Sequence, residues 1–144
     1  MIRRIAGIIA FTLTIFLAGY WFGSSRSSVQ AQTDNRVFEL RTYHTYEGKL
    51  DALLTRFRDH TVDIFNRHGM TSIGYWLPTD EPLKSKTLVY LLAFPSREAA
   101  TKSWTEFRND PEWKKVAAAS EANGKLVEKV DSVFLEPTDF SKLK

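Results

Sequence analysis

Three polar side chains at alternate positions form the most suggestive cluster in the sequence. Glu39, Arg41 and Tyr43 are spaced two residues apart, and because side chains alternate across a β-strand, all three would project from one strand face. We call these residues the polar row. Arg41 could orient an anionic or carbonyl group of a ligand, and Tyr43 could donate a hydrogen bond to it. The simpler interpretation, which we favour, is an ion pair of Glu39 with Arg41 in a dimer interface.

The three histidines are the candidate bases and metal ligands. His44 follows the polar row, near the expected mouth of a cleft, and His60 lies at the edge of an apolar helical stripe. Either could act as a general base, although a charge pair of His60 with Asp59 or Asp63 is the simpler alternative. His68 lies in the last turn of the same helix, where a histidine favours the helix dipole, so we expect it to be structural. The spacing of His60 and His68 matches no standard metal motif, and we predict no metal site.

Large aromatic side chains could line an apolar ligand pocket, and the candidates are Trp76, Tyr90, Trp104 and Trp113. Packing in the core or in an interface is the commoner use of such residues. The sequence contains no cysteine, which excludes thiolate metal ligands and cysteine nucleophiles. It also contains neither a glycine-rich phosphate loop nor a Gly-x-Ser-x-Gly elbow. No cofactor is therefore predicted from a motif.

The N-terminal segment, residues 1–31, is predicted to be a signal peptide or a membrane anchor. Residues 5–23 carry no charge and follow Arg3 and Arg4, which is typical of both kinds of segment. The small or modest side chains of residues 29–31 permit a signal peptidase to cleave after Ala31. Cleavage there would give a periplasmic or extracellular protein. Without cleavage, the chain would contact the membrane through residues 5–23 as a single-pass anchor. In both cases the remaining domain is expected outside the membrane.

The charge distribution excludes a nucleic-acid partner. The whole chain has a formal net charge of +3, but all 17 acidic residues and all but three of the 20 basic residues lie within residues 32–144. That segment is therefore neutral and lacks the basic surface that binds a polyanion. We assign residues 32–137 to one folded domain and residues 138–144 to a polar C-terminal tail.

Four strands and two helices are predicted from the spacing of apolar and capping residues. The strands are 36–44, 71–77, 87–94 and 126–135; the helices are 47–68 and one that begins after Ser96, restarts at Asp110-Pro111 and ends at Asn123-Gly124. The resulting βαββαβ order, with two right-handed crossovers, predicts an α+β, ferredoxin-like fold. In this fold a four-stranded antiparallel sheet carries both helices on one face.

The helix-free face of this sheet is expected to be apolar. If Phe38 and Leu40 face the helices, then Val37 and Tyr43 lie on the helix-free face, together with the rest of the polar row and apolar residues of the third strand. Such a face is an interaction liability, which the stacking of two sheets about a two-fold axis removes. We therefore predict a homodimer with the polar row in its cavity.

Several short motifs, in their shared order, resemble the NIPSNAP family. They are Val-Phe-Glu-Leu-Arg-Thr-Tyr at 37–43, Gly-Lys-Leu at 48–50, Arg-His-Gly at 67–69, Gly-Tyr-Trp at 74–76 and Asp-Pro-Glu-Trp at 110–113. The resemblance covers residues 36–137. It implies a dimeric α+β barrel, related to antibiotic-biosynthesis monooxygenases and muconolactone isomerases, but it supplies no catalytic residues.

Three functions remain open from the sequence. The first, slightly favoured, is a non-catalytic dimeric module that binds a small apolar molecule or an envelope protein. The second is a cofactor-independent monooxygenase or isomerase, in which His60 or His44 acts as base and Arg41 or Tyr43 stabilises an enolate-like oxygen. The third is haem binding in the cleft with one histidine as axial ligand.

Overall fold

The computed structural model describes residues 36–144, which form four strands, four α-helices and one π-helical turn. The strands are β1 (Val37–Thr45), β2 (Thr71–Trp76), β3 (Thr87–Phe94) and β4 (Val127–Leu135). The helices are α1 (Leu50–Arg56), α2 (Val62–Arg67), α3 (Arg97–Asn109) and α4 (Pro111–Ser120), with a π-helical turn, Phe57–Thr61, between α1 and α2. The predicted signal or anchor, 1–31, lies outside the described residues. Within 36–144, no helix is both long and apolar enough to cross a membrane.

The first predicted helix is present, but a π-helical turn interrupts it. The Thr61 hydroxyl donates a hydrogen bond to the Arg56 carbonyl at 3.1 Å, across the wider turn that a π-helix makes. The apolar stripe of the helix still reaches the core, with Leu53 and Ile64 fully buried. The helix ends at Gly69, whose φ of 71° suits a residue without a Cβ.

The second helical region begins and breaks at its capping residues, as the sequence predicts. The Ser96 hydroxyl accepts a hydrogen bond from the Ala99 backbone N–H, which caps α3. Asp110 then caps α4 by accepting from two backbone N–H groups, at 2.7 Å and 3.1 Å. Proline follows as the first residue of α4, a position where its missing N–H costs nothing.

The sheet is antiparallel with the strand order β2-β3-β1-β4, which confirms the α+β, ferredoxin-like fold. The hydrophobic core lies between one face of the sheet and the helices. It joins Phe65 and Phe107 of the helices to Leu88, Tyr90 and Leu92 of β3. We call this side of the sheet the covered face and the opposite side the open face.

The predicted orientation of β1 is wrong, because the polar row points toward the helices. Glu39 and Arg41 are paired in the sheet with the core residues Leu92 and Tyr90, and directly opposite residues share a face. Trp104 of α3 donates a hydrogen bond to Glu39, which fixes the same orientation. β1 has apolar residues on both of its faces, so alternation alone leaves the orientation undetermined.

Phe38 and Leu40 accordingly lie on the open face, where apolar residues of all four strands meet. The register places beside them Leu91, Val89, Trp76, Val133 and Leu135. Trp76 and Val133 are 52% and 53% exposed. The open face therefore carries an apolar cluster, as expected, but this cluster is built from the other set of alternating residues.

Candidate functional site

A cavity of about 420 Å³ lies between the covered face and the helices α3 and α4. Its walls are mainly aromatic, formed by Tyr43, Trp104, Phe107, Trp113 and Phe134. Three arginines and one threonine complete the lining, namely Arg41, Arg97, Arg108 and Thr101. The volume falls in the range of about 300–1,000 Å³ that is usual for small-molecule sites. This cavity contains two of the three members of the polar row.

Glu39, the third member, is buried behind the cavity and fully hydrogen-bonded. Its side chain accepts from Arg41 at 2.6 Å, from the Ser132 hydroxyl at 2.6 Å and from the Trp104 indole N–H at 2.5 Å. Burial of a carboxylate without partners is costly, and these three donors explain why Glu39 can be 1% exposed. The expected ion pair with Arg41 exists, but it lies within one protomer under α3. Ser132 was not predicted, since it comes from a distant strand.

Arg41 forms the charged floor of the cavity. Its guanidinium carbon lies 4.2 Å from the centroid of the Trp104 ring and 5.5 Å from that of Tyr43, within the range of cation–π attraction. Burial acts to lower the pKa of Arg41, but Tyr43, Tyr90 and Glu39 outweigh it and raise this pKa above its usual value. Arg41 is therefore a permanent positive charge held against an indole.

Two buried polar atoms near this floor have no hydrogen-bond partner among the residues described. They are Nε of Arg41 and the hydroxyl of Tyr90, and the Tyr90 side chain is 0% exposed. Burial raises the pKa of Tyr90, and the neighbouring Tyr43 raises it further, so the phenol stays neutral. Unpartnered buried polar atoms are uncommon in proteins, and these two leave hydrogen-bonding capacity beside the cavity.

One face of α3 supplies most of the rest of the cavity. Arg97, Thr101, Trp104 and Arg108 follow each other at intervals of four, three and four residues, which places them on one side of a helix. The guanidinium carbon of Arg97 lies 3.1 Å from the centroid of the Phe134 ring. The sequence analysis missed Arg97, Thr101 and Arg108, although their helical spacing with Trp104 was a usable signal.

The described structure does not bring any histidine to this cavity. His44 lies on the open face, where its Nε2 is 3.0 Å from a carboxylate oxygen of Asp131. His60 is exposed beside a separate groove between α1 and α4. His68 contacts Asp110, the cap of α4, at 2.8 Å, which is a structural position. None of the three histidines therefore lines the cavity with Arg41 and Tyr43.

Some of the aromatic candidates lie at the cavity and one lies on the open face. Trp104 and Trp113 line the cavity and Tyr90 is buried beneath it, whereas Trp76 lies on the open face. Within residues 36–144, no three histidine, aspartate or glutamate side chains converge as metal ligands do. A haem in this cavity would lack an axial histidine, because the three histidines lie elsewhere.

Solved structures with this fold include both uncharacterised proteins and an oxygenase. A NIPSNAP family protein of unknown function from Agrobacterium tumefaciens is 23% identical, with a TM-score of 0.67 over 78% of this chain and 96% of that one. A NIPSNAP-like domain protein from Burkholderia xenovorans is 19% identical, with a TM-score of 0.65 over 75% and 90%. The cofactor-independent oxygenase SnoaB from Streptomyces nogalater is 13% identical, with a TM-score of 0.52 over 76% and 99%.

The strand order and these likenesses define the class of fold as α+β with ferredoxin-like topology. The sequence profile of the NIPSNAP family matches residues 38–142, so the chain belongs to the NIPSNAP family. No protein of curated function matches its sequence.

Proposed function

We propose that the protein is a small-molecule-binding module and that its ligand occupies the cavity between the covered face and α3. The observation that carries this proposal is the arrangement around Arg41, where aromatic walls meet a fixed positive charge and two unpartnered buried polar atoms. Sites of this kind combine apolar walls with a few fixed polar groups. A module that binds only a protein partner would not need such a cavity.

An enzyme of the monooxygenase or isomerase type is the second candidate. The pairing of Arg41 with the phenol of Tyr43 favours it, because both could stabilise an enolate-like oxygen. Neither His44 nor His60 can supply the base from its present position, since one is on the open face and the other is exposed. The binding function therefore has the stronger support.

A second copy of the chain is the proposed occupant of the open face. Its exposed apolar residues, including Trp76 and Val133, form a continuous surface across the sheet. A two-fold axis would bury the same residues of both copies against each other. In this arrangement the cavities of the two protomers remain on the outer sides of the paired sheets.

Export of the domain is also proposed, on the support of the uncharged residues 5–23 behind Arg3 and Arg4. Intact-mass analysis of the protein isolated from its own cells distinguishes the cleaved form from the membrane-anchored form. A chain that begins at Gln32 would indicate cleavage, and a chain that retains residues 1–31 in the membrane fraction would indicate an anchor.

Native mass spectrometry of the protein from its own cells tests the binding function. We expect a discrete small-molecule adduct that disappears in Thr101→Trp, because this substitution fills the cavity. Lys102→Trp is the control, since Lys102 is also exposed on α3 but neither lines the cavity nor pairs with a side chain that does. An adduct retained in Thr101→Trp would contradict the proposal, and wild-type protein without an adduct would favour a scaffold that binds a protein.

A further inference from the structure

We infer that the ligand is an aromatic anion, with its ring against the tryptophans of the cavity and its acid group at Arg108. This inference rests on the proposed function and specifies the chemical class of its ligand. It follows from the charge of the cavity, from the shape of its walls and from the surroundings of each arginine.

The charges around the cavity are unbalanced. Its described lining contains three arginines and no carboxylate. Glu39, which is buried behind the cavity, is already bound by Arg41, Ser132 and Trp104. The charge of Arg41 is thereby matched, whereas the guanidinium groups of Arg97 and Arg108 form no ion pair within residues 36–144. A neutral ligand would leave this positive potential unused, and an acid would match it.

The walls favour a flat ring. Trp113 and Phe107 lie with their ring centroids 4.4 Å apart, and Phe107 meets Trp104 edge to face at 5.6 Å. Together they form a continuous aromatic surface on the helix side of the cavity. Aromatic pairs prefer offset-stacked or edge-to-face contacts at such distances, so a ligand ring can add to this cluster without disturbing it.

Arg108 is the better of the two exposed arginines for the acid group. Arg97 also borders a second surface pocket, which the acidic residues Glu98 and Glu136 line as well, and it lies over the ring of Phe134. Arg108 makes only a weak contact of 3.4 Å with the hydroxyl of Thr105. Its remaining N–H groups can form the paired hydrogen bonds with which arginine binds a carboxylate.

Three matched probes test the inference on the full chain by isothermal titration calorimetry at low salt. They are 2-naphthoate, the neutral 2-naphthylmethanol and the saturated decahydronaphthalene-2-carboxylate. We expect 2-naphthoate to bind at least about 10-fold more tightly than either of the others. Arg108→Gln should weaken 2-naphthoate binding by about 10-fold and leave 2-naphthylmethanol unchanged. Arg58→Gln, which removes an exposed arginine away from the cavity, should change neither.

The outcomes separate this inference from the proposed function. Equal affinity for 2-naphthoate and 2-naphthylmethanol, with both lost in Thr101→Trp, would overturn the anionic character but support a binding cavity. Equal affinity for the saturated acid would overturn the aromatic preference. Failure of all three probes to bind would overturn the inference alone, because the adduct found by native mass spectrometry decides the binding function separately.

Discussion

The two faces of one sheet show how differently neighbouring residues of a strand can be used. On the covered face, Glu39 is buried and takes all of its hydrogen bonds from side chains nearby. On the open face, Val133 is apolar and 53% exposed. A polar residue can thus lie in the interior when its partners are present, and an apolar residue can lie outside when a second surface covers it. The covered face is suited to a ligand, and the open face to another copy of the chain.

The largest effect is expected from breaking the buried network of the covered face. Glu39→Ala leaves Arg41 without its carboxylate and removes the acceptor of Trp104 and Ser132. Because Arg41 is partly exposed, we expect the lower end of the cost of breaking a buried ion pair, a loss of about 3 kcal/mol in the free energy of unfolding. Urea unfolding followed by circular dichroism measures it.

Glu128→Ala is the control for this change, because Glu128 is an exposed glutamate on β4. It should alter the free energy of unfolding by less than about 0.5 kcal/mol. If Glu39→Ala were no more destabilising than Glu128→Ala, the network would be incidental to the covered face.

The second prediction compares the same substitution, valine to glutamate, at two positions of β4 that lie on opposite faces of the sheet. Val133→Glu places a charge on the open face, whereas Val130→Glu places it on the side of β4 that shares a face with Tyr43. Repulsion between two copies of the new carboxylate should weaken dimerisation by at least about 100-fold in the first variant only. Sedimentation equilibrium measures both. A monomeric wild-type protein, or equal dimerisation of the two variants, would contradict the role of the open face.

The order of the elements could be predicted from the sequence, because local residues determine it. Ser96 and Asp110 cap the helices through contacts within three residues, and Gly69 ends α2 through its own backbone conformation. The spacing of apolar residues then indicates which segments are strands and which are helices, and the order of these elements indicates the fold. These signals are all short-range and therefore visible in the sequence.

The orientation of β1 could not be predicted, because the partners that decide it are distant in the chain. Trp104 and Ser132 donate hydrogen bonds to Glu39, and no local sequence pattern predicts either contact. Arg41 and Tyr43 therefore line a cavity on the opposite side of the sheet from the one that was predicted for them. The arginines of α3 were missed because only the histidines and the polar row were considered as charged ligand contacts.

The smallest effect concerns a contact that joins the helices away from both faces. The side chain of His68, the backbone of α4 and Arg67 hold the pKa of Asp110 down to about 2. A lowered pKa in the folded state stabilises the protein at pH values above the ordinary aspartate pKa, and this stabilisation is lost as the pH falls toward 2. Asp110→Asn keeps an N-cap but cannot ionise.

The thermal midpoint of the wild-type protein should therefore fall more steeply between pH 4 and pH 2 than that of Asp110→Asn, as measured by differential scanning calorimetry. Parallel curves would show that the contact of Asp110 with His68 contributes nothing to acid stability. Neither result would alter the comparison of the two faces, since this contact lies on the helices.

Calorimetric titration of Val133→Glu with 2-naphthoate tests whether the two faces of the sheet function independently. We expect a monomeric protein that binds 2-naphthoate with an affinity within about 3-fold of the wild-type value, because Val133 lies on the opposite side of the sheet from the cavity. Loss of binding in a folded monomer would contradict this independence, and would show that the ligand site requires both copies of the chain.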